Sequence, residues 1–84
     1  MKFETVIGLV MAEIGRAEKL HPVWPRDLVK ASALIAEEAG EEIRAANDYA
    51  EKRGSKRRIV TEAVHTAATA LRFLKNIERT ENNE

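Results

Sequence analysis

The segment Glu37-Glu38-Ala39-Gly40-Glu41-Glu42 concentrates carboxylates as no other part of the chain does. On a helix, side chains three and four residues apart lie one above the other, so Glu38, Glu41 and Glu42 repel one another and require compensation. A divalent cation is one compensator. Mg²⁺ takes hard oxygen ligands in an octahedron, and two carboxylates one turn apart supply part of that shell while water and phosphate oxygens supply the rest. Basic side chains such as Arg44 or Arg72 are another, and a solvated acidic stripe or a Glu–Arg network at the edge of a bundle is the plainer reading of the same pattern. A second constellation follows at Glu62 and His65, whose spacing of three lets both approach one point. Read alone, that pair is the solvent face of a surface helix carrying a histidine that titrates in water. It joins the acids only if its face meets theirs.

Three helices are expected to position these groups. Phe3, Val6, Ile7, Val10, Met11, Ile14 and Ala17 recur at three-and-four spacing and predict a helix over residues 3–20. Gly8 and Gly15 weaken it or allow a close approach. His21-Pro22-Val23-Trp24-Pro25 breaks it, because each proline lacks an N–H and biases the preceding residue toward extended backbone. Asp27, or a residue just before it, is the candidate cap of a second helix over 26–53, ended by Gly54, and Ser55 the candidate cap of a third over 56–79. The tail 80–84 has nothing to bury and is expected to fray. On the second helix Leu28, Ala31, Ile35, Ala39, Ile43, Ala46 and Tyr49 form the apolar sector, with Glu42 inside it, Glu38 on its flank, Glu41 just beyond and Glu37 opposite. On the third, Val60, Ala63, Val64, Ala67, Ala70, Leu71 and Leu74 form the apolar stripe, and Glu62, His65, Thr69 and Arg72 lie across from it. No segment alternates as a strand does.

The 84 residues therefore predict one all-α domain, a three-helix antiparallel bundle. Its apolar side chains are mostly Ala, Val, Leu and Ile with only 5% aromatic residues, giving a thin core that a second copy would complete into a four-helix-type arrangement, as a homodimer or homotetramer. Lys plus Arg and Asp plus Glu are both 14, so no net field draws the chain to nucleic acid. The local Lys56-Arg57-Arg58 run suggests a DNA-binding protein, but duplex binding normally needs several phosphate contacts and the neutral net charge argues against it. There is no cysteine, no signal-peptide pattern and no run of about 20 apolar residues, so neither disulfides nor a membrane partner is expected, and the cytoplasm is the default location.

Ile35-Ala36-Glu37-Glu38-Ala39-Gly40-Glu41-Glu42, a basic glycine-containing turn and then Thr61-Glu62-Ala63-Val64-His65 together resemble the MazG-like all-alpha nucleoside triphosphate pyrophosphohydrolase superfamily, which carries EExxE on one helix and ExxD on the next. The resemblance spans about His21 to Ile77. It implies metal ligands at Glu38, Glu41, Glu62 and His65, the last standing where the family has Asp, with Glu37 and Glu38 as the catalytic acids. The implied activity is Mg²⁺-dependent hydrolysis of the alpha–beta phosphoanhydride of a nucleoside or deoxynucleoside triphosphate, giving monophosphate and pyrophosphate. By residue type, Lys30, Lys56, Arg57, Arg58 or Arg72 would contact phosphates and Trp24 or His21 would stack on a base, with Lys30, Arg72 and Trp24 the leading substrate-binding candidates. Neutral imidazole at position 65 removes a negative charge and suits Mn²⁺, Zn²⁺ or Ni²⁺ better than Mg²⁺. Three outcomes are open: Mg²⁺ held by glutamates alone, a softer metal, or a fold that has lost catalysis and serves as an oligomerisation or nucleotide-binding module.

Overall fold

In the computed structural model, which describes residues 1–79, the chain forms α1 (Phe3–Leu20), α2 (Leu28–Ala50) and α3 (Lys56–Lys75), followed by a short 3-10 turn at Ile77–Arg79. No strand occurs among the described residues, and none of the helices is long and apolar enough to cross a membrane. The expected fraying of 80–84 lies outside the described residues.

The helix boundaries have local causes. After α1, the His21 N–H still reaches the Ala17 carbonyl at 2.8 Å, and the proline-containing segment that follows has no regular secondary structure. The Asp27 carboxylate accepts from the Lys30 N–H at 2.9 Å and starts α2, and the Ser55 hydroxyl accepts from the Arg58 N–H at 3.2 Å and starts α3. At the other end of α2, Gly54 is not the residue that stops the helix. Lys52 takes the left-handed conformation, at φ 62°, and α2 closes at Ala50. Gly54 serves a different purpose. A Cβ there would stand 3.2 Å from the Cβ of Asp48, so glycine lets the turn pass close over α2. Asp48 fastens the same turn, accepting from Arg58 at 2.9 Å and from Arg53 at 3.5 Å. The third helix stops at Lys75 rather than Arg79, because the Asn76 side chain donates to the Arg72 carbonyl at 2.8 Å and caps it.

Successive helices run antiparallel, and α3 is the spine. Both α1 and α2 pack on it, whereas among the described residues α1 and α2 make no close backbone approach to each other. The interior line of α2 is Ala31, Glu38 and Ala45, spaced by two turns, with both alanines fully buried. Thus the apolar sector expected on this helix is rotated. Glu38, expected on its flank, is central to the contact, and Ile43 is more than half exposed. On α3 the reversal is larger. Ala68 and Arg72 are buried, Glu62, His65 and Thr69 are partly buried, and Ala63, Ala67, Leu71 and Leu74 of the expected core stripe are exposed. The polar side of α3 faces into the molecule. Apart from those three alanines, Val10 is the only buried apolar residue among the described residues. Neither Gly8 nor Gly15 marks a close approach, since a Cβ at either would meet nothing within 4 Å.

Candidate functional site

The antiparallel contact of α2 with α3 brings Glu38 onto the pair Glu62 and His65. His65 Nδ1 lies 3.6 Å from Glu62 Oε1 and 3.9 Å from Glu38 Oε1. One ligand atom from each of the three residues falls within 4.8 Å of the others, and all three side chains are partly buried. Two carboxylate oxygens and an imidazole nitrogen converging from two helices form a donor set suited to a divalent cation.

The first helix adds a residue that sequence reasoning missed. Glu13 approaches the opposite edge of the imidazole, its Oε2 3.5 Å from His65 Nε2. Arg16, one turn further along α1, donates to both oxygens of this carboxylate at 2.8 and 2.5 Å. The signal was present in the helical spacing, because Glu13 falls beside Val6 and Ala17 on the face turned toward the interior. It was masked by Arg16 at position i+3, which makes the pair look like ordinary surface decoration.

The carboxylates experience opposite electrostatic environments. The hydrogen bonds from Arg16 hold the Glu13 carboxyl below the ordinary range, against the opposing effect of burial and with help from the charge of His65. Burial pushes the Glu38 carboxyl up. His65 opposes that rise, while the negative charges of Glu62, Glu41 and Glu13 reinforce it. Compensation thus comes from Arg16 and His65 rather than from Arg44 or Arg72. Arg44 is exposed, and Arg72 is committed elsewhere.

Glu13, Glu38 and His65 line one end of a cleft of about 450 Å³ between α1 and α2, with α3 as its floor; Glu62 is not among the lining residues. His65, Thr69 and Arg72 lie along that floor, and Arg72 is two turns, roughly 10 Å, beyond His65. There the Arg72 guanidinium stacks 5.0 Å over the Trp24 ring and donates to the His21 carbonyl at 2.8 Å. Arg72 is 8% exposed. Its Nε and the Trp24 indole N–H are buried with no hydrogen-bond partner among the described residues.

The remaining sequence candidates fall outside this constellation. Glu41 is not among the converging donors and acts on Glu38 through its charge. Glu37 is exposed, and Lys30 is exposed in the first turn of α2 and does not line the cleft. Compared with models of protein families, with curated proteins and with solved structures, the chain matches none.

Proposed function

We propose that the chain is a metal-dependent nucleotide pyrophosphohydrolase that converts a nucleoside or deoxynucleoside triphosphate to the monophosphate and pyrophosphate. The observation that carries this reading is the convergence of Glu38, Glu62 and His65, two of which, Glu38 and His65, line a cleft that also holds Arg72 and Trp24. The donor set fits a divalent cation. Burial first, and then the charges of Glu62, Glu41 and Glu13, hold the Glu38 carboxyl above its ordinary range against the opposing effect of His65. Glu38, Glu62 and His65, with Glu41 one turn away, would hold Mg²⁺ or Mn²⁺, which would supply charge neutralisation for the phosphate oxygens and activation of water as a nucleophile.

The chain's own residues supply the remainder. Arg72 provides buried positive charge for the substrate, and the Trp24 ring offers an apolar face for a base. Glu38 accepts the proton of the attacking water as its oxygen bonds to the alpha phosphorus and the bond to the bridging oxygen breaks, with pyrophosphate leaving. Glu37 and Lys30, exposed outside the cleft, have supporting roles at most.

The exposed apolar sectors support a homo-oligomer. Leu71 and Leu74 on α3 and Val29 and Ile43 on α2 face outward, with Leu74 62% exposed, and Phe3, Ile7 and Met11 extend the apolar sector of α1 beyond α3. A second copy packed on these faces completes a four-helix-type core. Nucleotide triphosphates place the work in the cytoplasm.

The test is pyrophosphate release across a panel of nucleotides with Mg²⁺ and Mn²⁺. Turnover abolished by Glu38→Ala supports the reading, and no turnover with any nucleotide or metal rejects it. His65 favours a second reading, a catalytically degenerate nucleotide-binding or oligomerisation module, because it stands where the resembled family has an acid. Activity that emerges only in His65→Asp selects that second reading.

A further inference from the structure

The two nitrogens of His65 face different partners. Nδ1 is turned to Glu62 and Glu38, at 3.6 and 3.9 Å, and Nε2 to Glu13 at 3.5 Å. A neutral imidazole carries one proton, so it can offer a lone pair from only one nitrogen, and a hydrogen bond at the other decides which. Glu13 is suited to making that choice. Both of its oxygens accept from the Arg16 guanidinium, so towards the imidazole it is placed as an acceptor. It also sits on α1, whereas the other three residues belong to α2 and α3, so its position is set independently of the converging donors.

We propose that Glu13 is a positioning residue that holds His65 as the Nε2–H tautomer, presenting the Nδ1 lone pair beside Glu38 and Glu62 as the third donor to a divalent cation. This inference rests on the metal site proposed above. A carboxylate behind the imidazole makes the ligand more basic and fixes its plane, and loss of such a partner typically weakens metal binding about 10- to 100-fold. An imidazole donor favours Mn²⁺ or Zn²⁺ over Mg²⁺. The Arg16–Glu13–His65 chain therefore bears on which ion the site selects as well as on how tightly it is held.

The experiment uses the full chain labelled with ¹⁵N in its histidines, in wild type, Glu13→Gln and Arg16→Ala, with helicity checked by circular dichroism. Long-range ¹H–¹⁵N spectra of the metal-free protein, at a pH where imidazole is neutral, read the tautomer directly. His65 is expected to be predominantly Nε2–H in wild type and to lose that preference in Glu13→Gln. Calorimetric titration with Mn²⁺, Zn²⁺ and Mg²⁺ is expected to show about 10- to 100-fold weaker Mn²⁺ and Zn²⁺ binding in Glu13→Gln, a smaller loss in Arg16→Ala, and a shift of preference toward Mg²⁺ in His65→Asp. An Nδ1–H tautomer in wild type, or equal metal affinity in wild type and Glu13→Gln, overturns the role of Glu13 and leaves the metal site standing. No binding of any of the three ions to wild type overturns the metal site and this inference with it.

Discussion

Replacing Glu38 by glutamine separates a site built for a cation from an ordinary acidic patch. Glu38 and Glu62 each place a donor oxygen in a group spanning no more than 4.8 Å. Two unit charges at that separation repel by roughly 1 kcal/mol in bulk water and by roughly 3 kcal/mol at the effective dielectric of a protein surface. The Glu38 side chain is 35% exposed, so solvent screening keeps the value near the lower limit. Without metal, Glu38→Gln is therefore expected to be more stable than wild type by about 1 kcal/mol, a rise in melting temperature of about 4–8 °C for a domain of this size. With Mn²⁺ at a hundred times its dissociation constant, wild type gains about 2.7 kcal/mol while the variant gains less, and the order of stability reverses. Differential scanning calorimetry at neutral pH, with chelator and then with Mn²⁺, measures both effects.

The pH dependence carries the same information. Because the Glu38 carboxyl is raised in the folded protein, the native state retains a proton that the unfolded chain has already released. This contribution lowers stability as pH rises from the ordinary carboxylate value through the raised one, is complete above that interval and absent below it. The lowered Glu13 carboxyl contributes in the opposite direction, stabilising above the ordinary value and losing that effect as pH falls through the lowered one. In Glu38→Gln only the Glu13 contribution remains of this pair, so metal-free stability is expected to fall less than in wild type between weakly acidic and neutral pH. A metal-free variant no more stable than wild type would refute the reasoning, because it would mean that Glu38 is already compensated.

Three further outcomes follow from the packing. Gly8→Ala should raise stability by about 1 kcal/mol in thermal melts, since the new methyl group meets nothing within 4 Å and glycine is a poor helix former. Ala45→Leu should cost about 1–3 kcal/mol in urea titrations, because Ala45 is fully buried where α2 meets the rest of the bundle and has no room for added methylenes. Arg72→Met should cost about 1–3 kcal/mol in the same assay, by removing the charged donor from the His21 carbonyl and the cation from the Trp24 ring.

Local chemistry was the legible part of this fold. The bounds of α1 and the caps at Asp27 and Ser55 follow from periodicity and side-chain hydrogen bonding, which depend on neighbours within a turn. The end of α2 was less legible, because Gly54 advertises a left-handed stop while Lys52 takes that conformation and Gly54 answers instead to the nearness of Asp48. Periodicity also reveals which residues share a face without revealing what that face meets. On α3 the polar face was read as outward, yet Arg72 is buried there by a linker 51 positions away in sequence, through the His21 carbonyl and the Trp24 ring. The candidate site divides in the same way. Glu62 and His65 were linked by their spacing, and Glu38 by its motif, but the approach of Glu13 depended on the side of α3 against which α1 docks.

The separation of α1 from α2 gives the cleft an uncommon relation to the protein's rigidity. Its walls make no close backbone approach to each other among the described residues, and both are joined to α3 and the linker. A molecule seated there touches both helices and bridges them. Occupancy is then transmitted as stiffness: amides of α1 remote from any ligand atom exchange with solvent more slowly when the cleft is filled, and the helix serves as the gauge of what the site holds.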